Sequence, residues 1–408
     1  MANELWQNIF NILLRSLRCN PVLLVCVGTS AFCLWSYKAS ADVGMCGVAE
    51  QAMREAARIR QLTPVKPVPC AVRSRPEVEK FLKDMIAEKF PRDTLEMEQL
   101  VYRAIGLVPD EYDYAQGIVQ AYVQQIGGYY DPDKRNFVML DTMPEKLQLP
   151  VAVHELTHAL QDQRFNLSRF LDPAIHNNDE LMARAALVEG DASAVMQDFL
   201  RGRTGAGNEG EIQAPASEAV PTVPPALQRV LVFPYIQGLS FARRVAREGG
   251  YAALNEAFLR PPKSSREVLH PEEFTSRSFV PVELSTEEIE QPAAKTSLDY
   301  ADTVGEFVIS AILGDALNSQ SRGEECAQGW VRDRVAVFSG GKARRVVSWM
   351  SEWETSDKAE RFIECYREML KVRYKRDVRE DLIPVSLQKK MKLARHDLRI
   401  SVVVEVVQ

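Results

Sequence analysis

The sequence predicts an α+β protein, mostly helical, with a small sheet next to one buried helix. Three observations carry this expectation. Apolar residues recur at helical spacing through residues 77–126 and again through 226–259. Between these stretches, residues 127–140 switch to two short apolar runs around an Asp131-Pro132-Asp133 turn, the pattern of a β-hairpin. Beyond residue 296, helical and strand-like runs mix, and residues 400–407 end the chain with an alternating, β-rich run.

The 408 residues, 46% hydrophobic and 26% charged, suffice for two or three structural units with a sizeable core. A formal net charge of −6 leaves no electrostatic footprint for nucleic acid, and no motif of that class occurs. At the N-terminus, Arg15 and Arg18 precede an apolar run over residues 21–35, then Lys38 and Ala39-Ser40-Ala41. These are the basic flank, short apolar core and small-residue site of an export signal. Residues 1–41 are read as a signal peptide cleaved after Ala41, or as a signal anchor attaching the chain to a membrane. Either places the protein in the periplasm, outside the cell, or on the outer side of a membrane. Beyond them remain Cys46, Cys70, Cys326 and Cys365, an even number suited to an oxidising compartment. Proximity along the chain favours the pairs Cys46–Cys70 and Cys326–Cys365.

Residues 42–74 are read as a short helix over 48–60 and an extended linker containing Pro64, Pro67 and Pro69. The main unit, residues 75–295, opens with helices broken near Pro91 and Pro109, with Leu100, Val101, Ile105 and Ile118 as core positions. The hairpin over 127–140 follows. Its strand is either a sheet edge onto which an extended peptide adds or plain sheet structure.

Residues 151–160 then carry two histidines four apart, with a glutamate directly after the first. At 3.6 residues per turn, His154 and His158 stack on one helix face and can reach one ion from the same side. Glu155 points away from that line, close enough to touch a water on the ion without being a ligand. This is the H-E-x-x-H arrangement, in which zinc takes the two imidazoles and the glutamate is the general base. Val151, Ala152, Val153, Leu156, Ala159 and Leu160 make the helix apolar nearly all round, so it should be buried. Two imidazoles and a carboxyl inside it are costly unless something pairs them. Asp162, four residues past His158, is either a carboxylate steadying an imidazole or a helix-end polar residue.

A catalytic zinc takes three protein ligands and a water, so one more ligand is needed downstream. Asn177, Asn178 and Asp179 offer the N-cap of a long helix running to about residue 200. Glu180 and Glu189 on it lie nine residues apart, on opposite faces. Glu180 sits in the first turn, where a carboxylate favours the positive helix end. Glu189 is embedded among Ala185, Ala186, Ala192 and Ser193, small residues that let a second helix approach, and is taken as the third ligand. Asp191 points the wrong way for a ligand and is a candidate to brace one. His176, in the loop before the helix, is a weaker ligand candidate. Residues 201–225 are read as a flexible loop, and residues 296–408 as a C-terminal α+β unit with helices at 304–317 and 356–372 and strands at 330–338 and 343–350. The lysine-rich run at 389–392 is read as solvated surface.

With His154-Glu155-Leu156-Thr157-His158-Ala159 and the downstream Glu189, the sequence resembles the gluzincin branch of zinc metallopeptidases, most closely the thermolysin type. Gly128-Tyr129-Tyr130-Asp131-Pro132 and Leu187-Val188-Glu189-Gly190-Asp191-Ala192 also resemble exported bacterial proteins of this kind. The thermolysin-type likeness covers roughly residues 127–200 and implies a zincin-like fold, a Zn2+ cofactor and a peptide or protein substrate. The chain departs from that pattern at Ser193, where an aspartate is expected, and in a longer gap between His158 and Glu189. Zincin chemistry also needs a donor for the tetrahedral oxyanion; Tyr235 and His270 are the candidates, with Tyr251 behind them. Two other readings stay open: a zinc-dependent amidase of the cell envelope, and a non-catalytic scaffold that keeps the fold.

Overall fold

The structure, a computed structural model, describes residues 44–89, 92–125, 127–172, 174–204, 222–292, 296–340, 344–379, 381–386 and 388–407. The export signal and most of the loop expected at 201–225 lie outside the described residues. The protein is α+β.

Helix α1 (Ala49–Arg60) turns Ala52 and Ala56 inward. Cys46, just ahead of it, is disulfide-bonded to Cys70 at the start of strand β1 (Cys70–Arg73). The expected linker therefore ends in a strand, and four residues are too few to display a period of two. Helices α2 (Arg75–Lys89), α3 (Arg92–Ile105) and α4 (Tyr114–Gln125) follow; α3 and α4 are separated near Pro109 as expected, while the break expected at Pro91 lies outside the described residues. Strands β2 (Gly128–Asp131) and β3 (Asn136–Leu140) form the antiparallel hairpin, with Tyr130 opposite Phe137. Strand β1 pairs in parallel with β3, so the small sheet runs β1-β3-β2 and β2 is one of its edges.

Helix α5 (Glu145–Phe165) carries the histidine pair, and every residue from Ala152 to Gln161 is buried. It is enclosed by α1, the hairpin and a later helix, through a core that includes Ala56, Tyr130, Phe137, Met139, Leu156 and Phe199. After the short α6 (Leu167–Phe170) comes α7 (Asn178–Thr204), where Asn177 Oδ1 accepts the Glu180 N–H at 2.9 Å and caps the helix. Helix α8 (Pro225–Leu259) packs along α7 and bends at Gly249-Gly250, and α9 (Ser265–Leu269) and α10 (Pro271–Ser276) complete the unit.

The C-terminal part is a six-stranded antiparallel sheet in the order β4-β5-β6-β9-β8-β7. Its strands are β4 (Ser297–Asp302), β5 (Trp330–Ser339), β6 (Arg344–Trp353), β7 (Ile383–Pro384), β8 (Lys389–His396) and β9 (Arg399–Val407). Helices α11 (Gly305–Ala316), α12 (Gln320–Ala327) and α13 (Ser356–Tyr374) belong to it, and the Cys326–Cys365 disulfide ties α12 to α13. Both disulfides follow the pairing expected from the sequence and fit an exported protein. Among the described residues no helix is long and apolar enough to cross a membrane. Residues 389–392 correct the sequence reading: they begin β8, with Lys389 and Met391 on its buried face and Lys390 exposed. The buried ammonium of Lys389 is paired with Asp110, which a count of lysines cannot anticipate. One apolar core runs from Val101 and Ile105 of α3 through Phe233 of α8 and Phe307 of α11 to Trp349 of β6, so the sheet shares its interior with the helices before it.

Where the two parts meet, Asp333 of β5 accepts the Val304 and Gly305 N–H groups and the Trp330 indole N–H, each at 2.8 Å. Gly305 has φ +82°, and a Cβ there would lie 1.9 Å from Asp179 Oδ1, so the start of α7 seats directly on this turn. Burial pushes the Asp333 carboxyl up to about 6, its N–H donors opposing, against an ordinary 3.8. Asp179 is raised well above its usual range, chiefly by burial, with the charge of Asp333 adding to it. A carboxyl raised on folding contributes stability that is complete below its unfolded value and lost as pH climbs through its folded value. Urea unfolding should therefore show stability falling as pH rises from about 4 through 6, with roughly 3 kcal/mol of the change due to Asp333. Asp333→Asn should flatten that component; an unchanged slope in the variant would refute the assignment.

Candidate metal centre

One turn of α5 and the middle of α7 meet with three polar groups between them. His154 Nε2 and His158 Nε2 lie 3.1 Å apart, and Glu189 Oε2 lies 3.2 Å from the first and 3.4 Å from the second. The rings stand nearly perpendicular, at 81°. Among the described residues this is the one group of three or more His, Cys, Asp or Glu side chains with ligand atoms close enough to hold an ion. A tetrahedral ion with bonds of about 2.0–2.1 Å spaces its ligand atoms about 3.3 Å apart, so the donor set fits zinc. Glu189 Oε1 is buried without a hydrogen-bond partner, which leaves this carboxylate short of a positive charge or donor.

Close packing of backbones sets this geometry. A Cβ on Gly190, the residue after Glu189, would lie 2.0 Å from the Gly238 carbonyl oxygen of α8, and one on Gly238 would lie 2.3 Å from the Ala186 carbonyl oxygen. The two helices touch main chain to main chain at the level of Glu189, and α8 holds α7 from behind while α5 meets its other side.

The electrostatics follow from burial. Burial acts to raise Glu189, yet the two imidazoles outweigh it and hold the carboxyl far below the ordinary range. His154 is lowered, first by burial. Burial acts on His158 in the same sense, but Glu189, Glu155 and Gln161 together raise it. Glu155 is pushed up to about 8 by burial, with the charge of Glu189 adding and that of His158 opposing. Its Oε2 accepts the Tyr130 N–H at 3.0 Å, a bond from the edge strand β2 that sets the carboxyl beside the cluster.

Residues 295–406 match the model of a domain of unknown function (DUF8575). This stretch spans the six-stranded sheet and its helices, and contains none of the three clustered side chains. No curated protein and no solved structure matches the chain.

The structure brings together His154, His158 and Glu189, with Glu155 adjoining. Glu180 pairs with Arg184 and His176, so His176 is engaged outside the cluster. The Asp162 carboxylate accepts the Tyr130 hydroxyl and the Leu167 N–H, the role of a helix-end residue and not of a brace for an imidazole. His270 stands between α9 and α10 and its Nε2 is 3.0 Å from Glu306 Oε1. Helix α9 packs on α7, α8 and α11, which carries His270 toward the C-terminal sheet. The Tyr235 hydroxyl is buried without a hydrogen-bond partner, and that of Tyr251 donates to Asp198. None of these three is hydrogen-bonded to His154, His158 or Glu189.

Three contributors escaped the sequence reading: the Tyr130 N–H, Gln161 and Arg60. Gln161 Oε1 lies 2.8 Å from His158 Nδ1. Its signal was present, an amide three residues past His158 on a helix apolar all round. Gly190→Ala should lower stability by about 1–3 kcal/mol through the clash with α8 and weaken any metal uptake by displacing Glu189. Thermal unfolding and metal analysis check this; a variant as stable as the parent would show that α7 and α8 are not in backbone contact.

Proposed function

We propose that the protein is a zinc-dependent peptidase whose metal is held by His154, His158 and Glu189. The observation that carries this reading is the convergence of three buried ligand atoms at tetrahedral spacing, with an ionised carboxylate among them and Glu155 one hydrogen bond from an edge strand. The resemblance to gluzincins points the same way, and the zincin-like fold and export are part of the same proposal.

Zinc held by His154, His158 and Glu189 would supply Lewis-acid chemistry, the polarisation of a carbonyl and the activation of water. The residues of the chain divide the remaining work. Glu155 Oε2 is fixed by the Tyr130 N–H, which leaves Oε1 to take a proton from water and pass it to the leaving amine. A carboxyl raised by burial accepts a proton readily, which suits a general base; the charge of a bound dication would draw its pKa back down. Glu189, with no solvent exposure, supplies a negative charge that offsets part of the charge of the ion. Strand β2 is an edge among the described strands, but its four residues are buried and the Tyr130 N–H is engaged by Glu155, so the peptide class of substrate rests on the resemblance.

Glu155→Gln should lower cleavage of a peptide library by ~10²-fold or more while leaving zinc content unchanged. Glu189→Ala should lose the zinc itself, as read by metal analysis. Peptide cleavage that survives Glu155→Gln would sink the mechanism, and a parent protein that takes up no zinc would sink the metal centre.

A further inference from the structure

We infer that Arg60, on the N-terminal helix α1, is a positioning residue for the metal centre, acting through Asp191 and Gln161 to orient His158. This rests on the metal-centre reading above and extends it to the short N-terminal helix.

The chain of contacts is continuous and buried. Arg60 Nε donates to Asp191 Oδ2 at 2.7 Å, and both side chains have no solvent exposure. The same Asp191 oxygen accepts from Gln161 Nε2 at 2.9 Å, and that nitrogen also donates to the Val188 carbonyl at 3.0 Å. With two acceptors facing its NH2 group, the Gln161 amide has one orientation, its oxygen turned to His158 Nδ1 at 2.8 Å. His158 Nδ1 must then carry the proton and donate it. The lone pair of Nε2 is left facing His154 and Glu189, the form a metal ligand needs.

Stability alone does not account for the ion pair. A fully buried Arg–Asp pair loses the solvation of both charges, and apolar residues of similar size commonly serve a core as well or better. What apolar residues cannot do is fix the direction of an amide. Arg60 is itself held firmly: its guanidinium lies 5.1 Å from the centre of the Tyr251 ring, and Nη1 reaches the Tyr251 carbonyl at 3.4 Å. Tyr251 is anchored by Asp198, which Arg243 also binds. Helix α1 packs on both α5 and α7, and the Cys46–Cys70 disulfide joins the segment ahead of it to the sheet beside α5. The N-terminal segment thus completes the metal centre from outside the two helices that supply its ligands.

Two variants test the relay, with zinc affinity measured by competition against a chromophoric chelator and the visible spectrum of the cobalt-substituted protein as a second readout. Asp191→Ala removes the oxygen that Arg60 and Gln161 share, so one of the two acceptors that fix the Gln161 amide is lost. It should bind zinc ~10–100-fold more weakly and shift the cobalt spectrum. The pair Arg60→Met with Asp191→Leu removes both charges together. It should show a comparable loss of affinity while the unfolding midpoint of the metal-free protein is not lowered. If either folded variant binds zinc as tightly as the parent with an unshifted cobalt spectrum, the relay is wrong and the metal centre stands. If the parent protein itself takes up no zinc, the metal centre falls and the relay with it.

Discussion

Glu189 is a carboxylate without access to water, held ionised by two imidazoles on the neighbouring helix. An isolated charge in such a place would cost several kcal/mol, so the position is tolerable only while α5 and α7 keep their spacing. The surrounding architecture enforces that spacing. Gly190 and Gly238 bring α7 and α8 into backbone contact, the hairpin and α1 close around α5, and residues 152–161 lie wholly inside. A small shift between α5 and α7 would leave an unpaired charge in the interior, and this makes the packing around the cluster intolerant of change.

The same constraint explains why polar residues are threaded through apolar helices. Gln161 sits among buried residues of α5, yet each hydrogen-bonding group of its side chain has a partner, and those partners lie on α7 and at His158. The carboxylate of Asp162, one residue on, instead joins Tyr130 of the hairpin to the turn before α6. Neighbours in the sequence thus serve different purposes, one toward the cluster and one toward the sheet. At the far end of α7, Asp179 and Asp333 perform a similar service for the junction with the C-terminal sheet, where they receive the N–H groups that begin α9 and α11.

Much of this was legible from spacing. His154, Glu155 and His158 share one helix, and the i, i+4 relation is a property of contiguous residues. Glu189 could be chosen over Glu180 because it lies among small residues while Glu180 lies at a helix start. The hairpin declared itself through its turn, and the disulfides through the short stretches of chain they close. Strands β1 and β8 were not legible, the first because four residues carry no period, the second because Lys389 is buried against Asp110, far away in the chain.

By itself, then, the sequence determined the α+β class, the histidine pair with its glutamate, and the helix that carries Glu189, because each depends on residues within a few turns of one another. The tertiary structure decided what supports them. Arg60 reaches Asp191 across 131 positions, and the hydrogen bond that seats Glu155 comes from a strand 25 positions away. Contacts of that kind leave no trace in local periodicity. They exist only once burial has folded distant segments against the same helix.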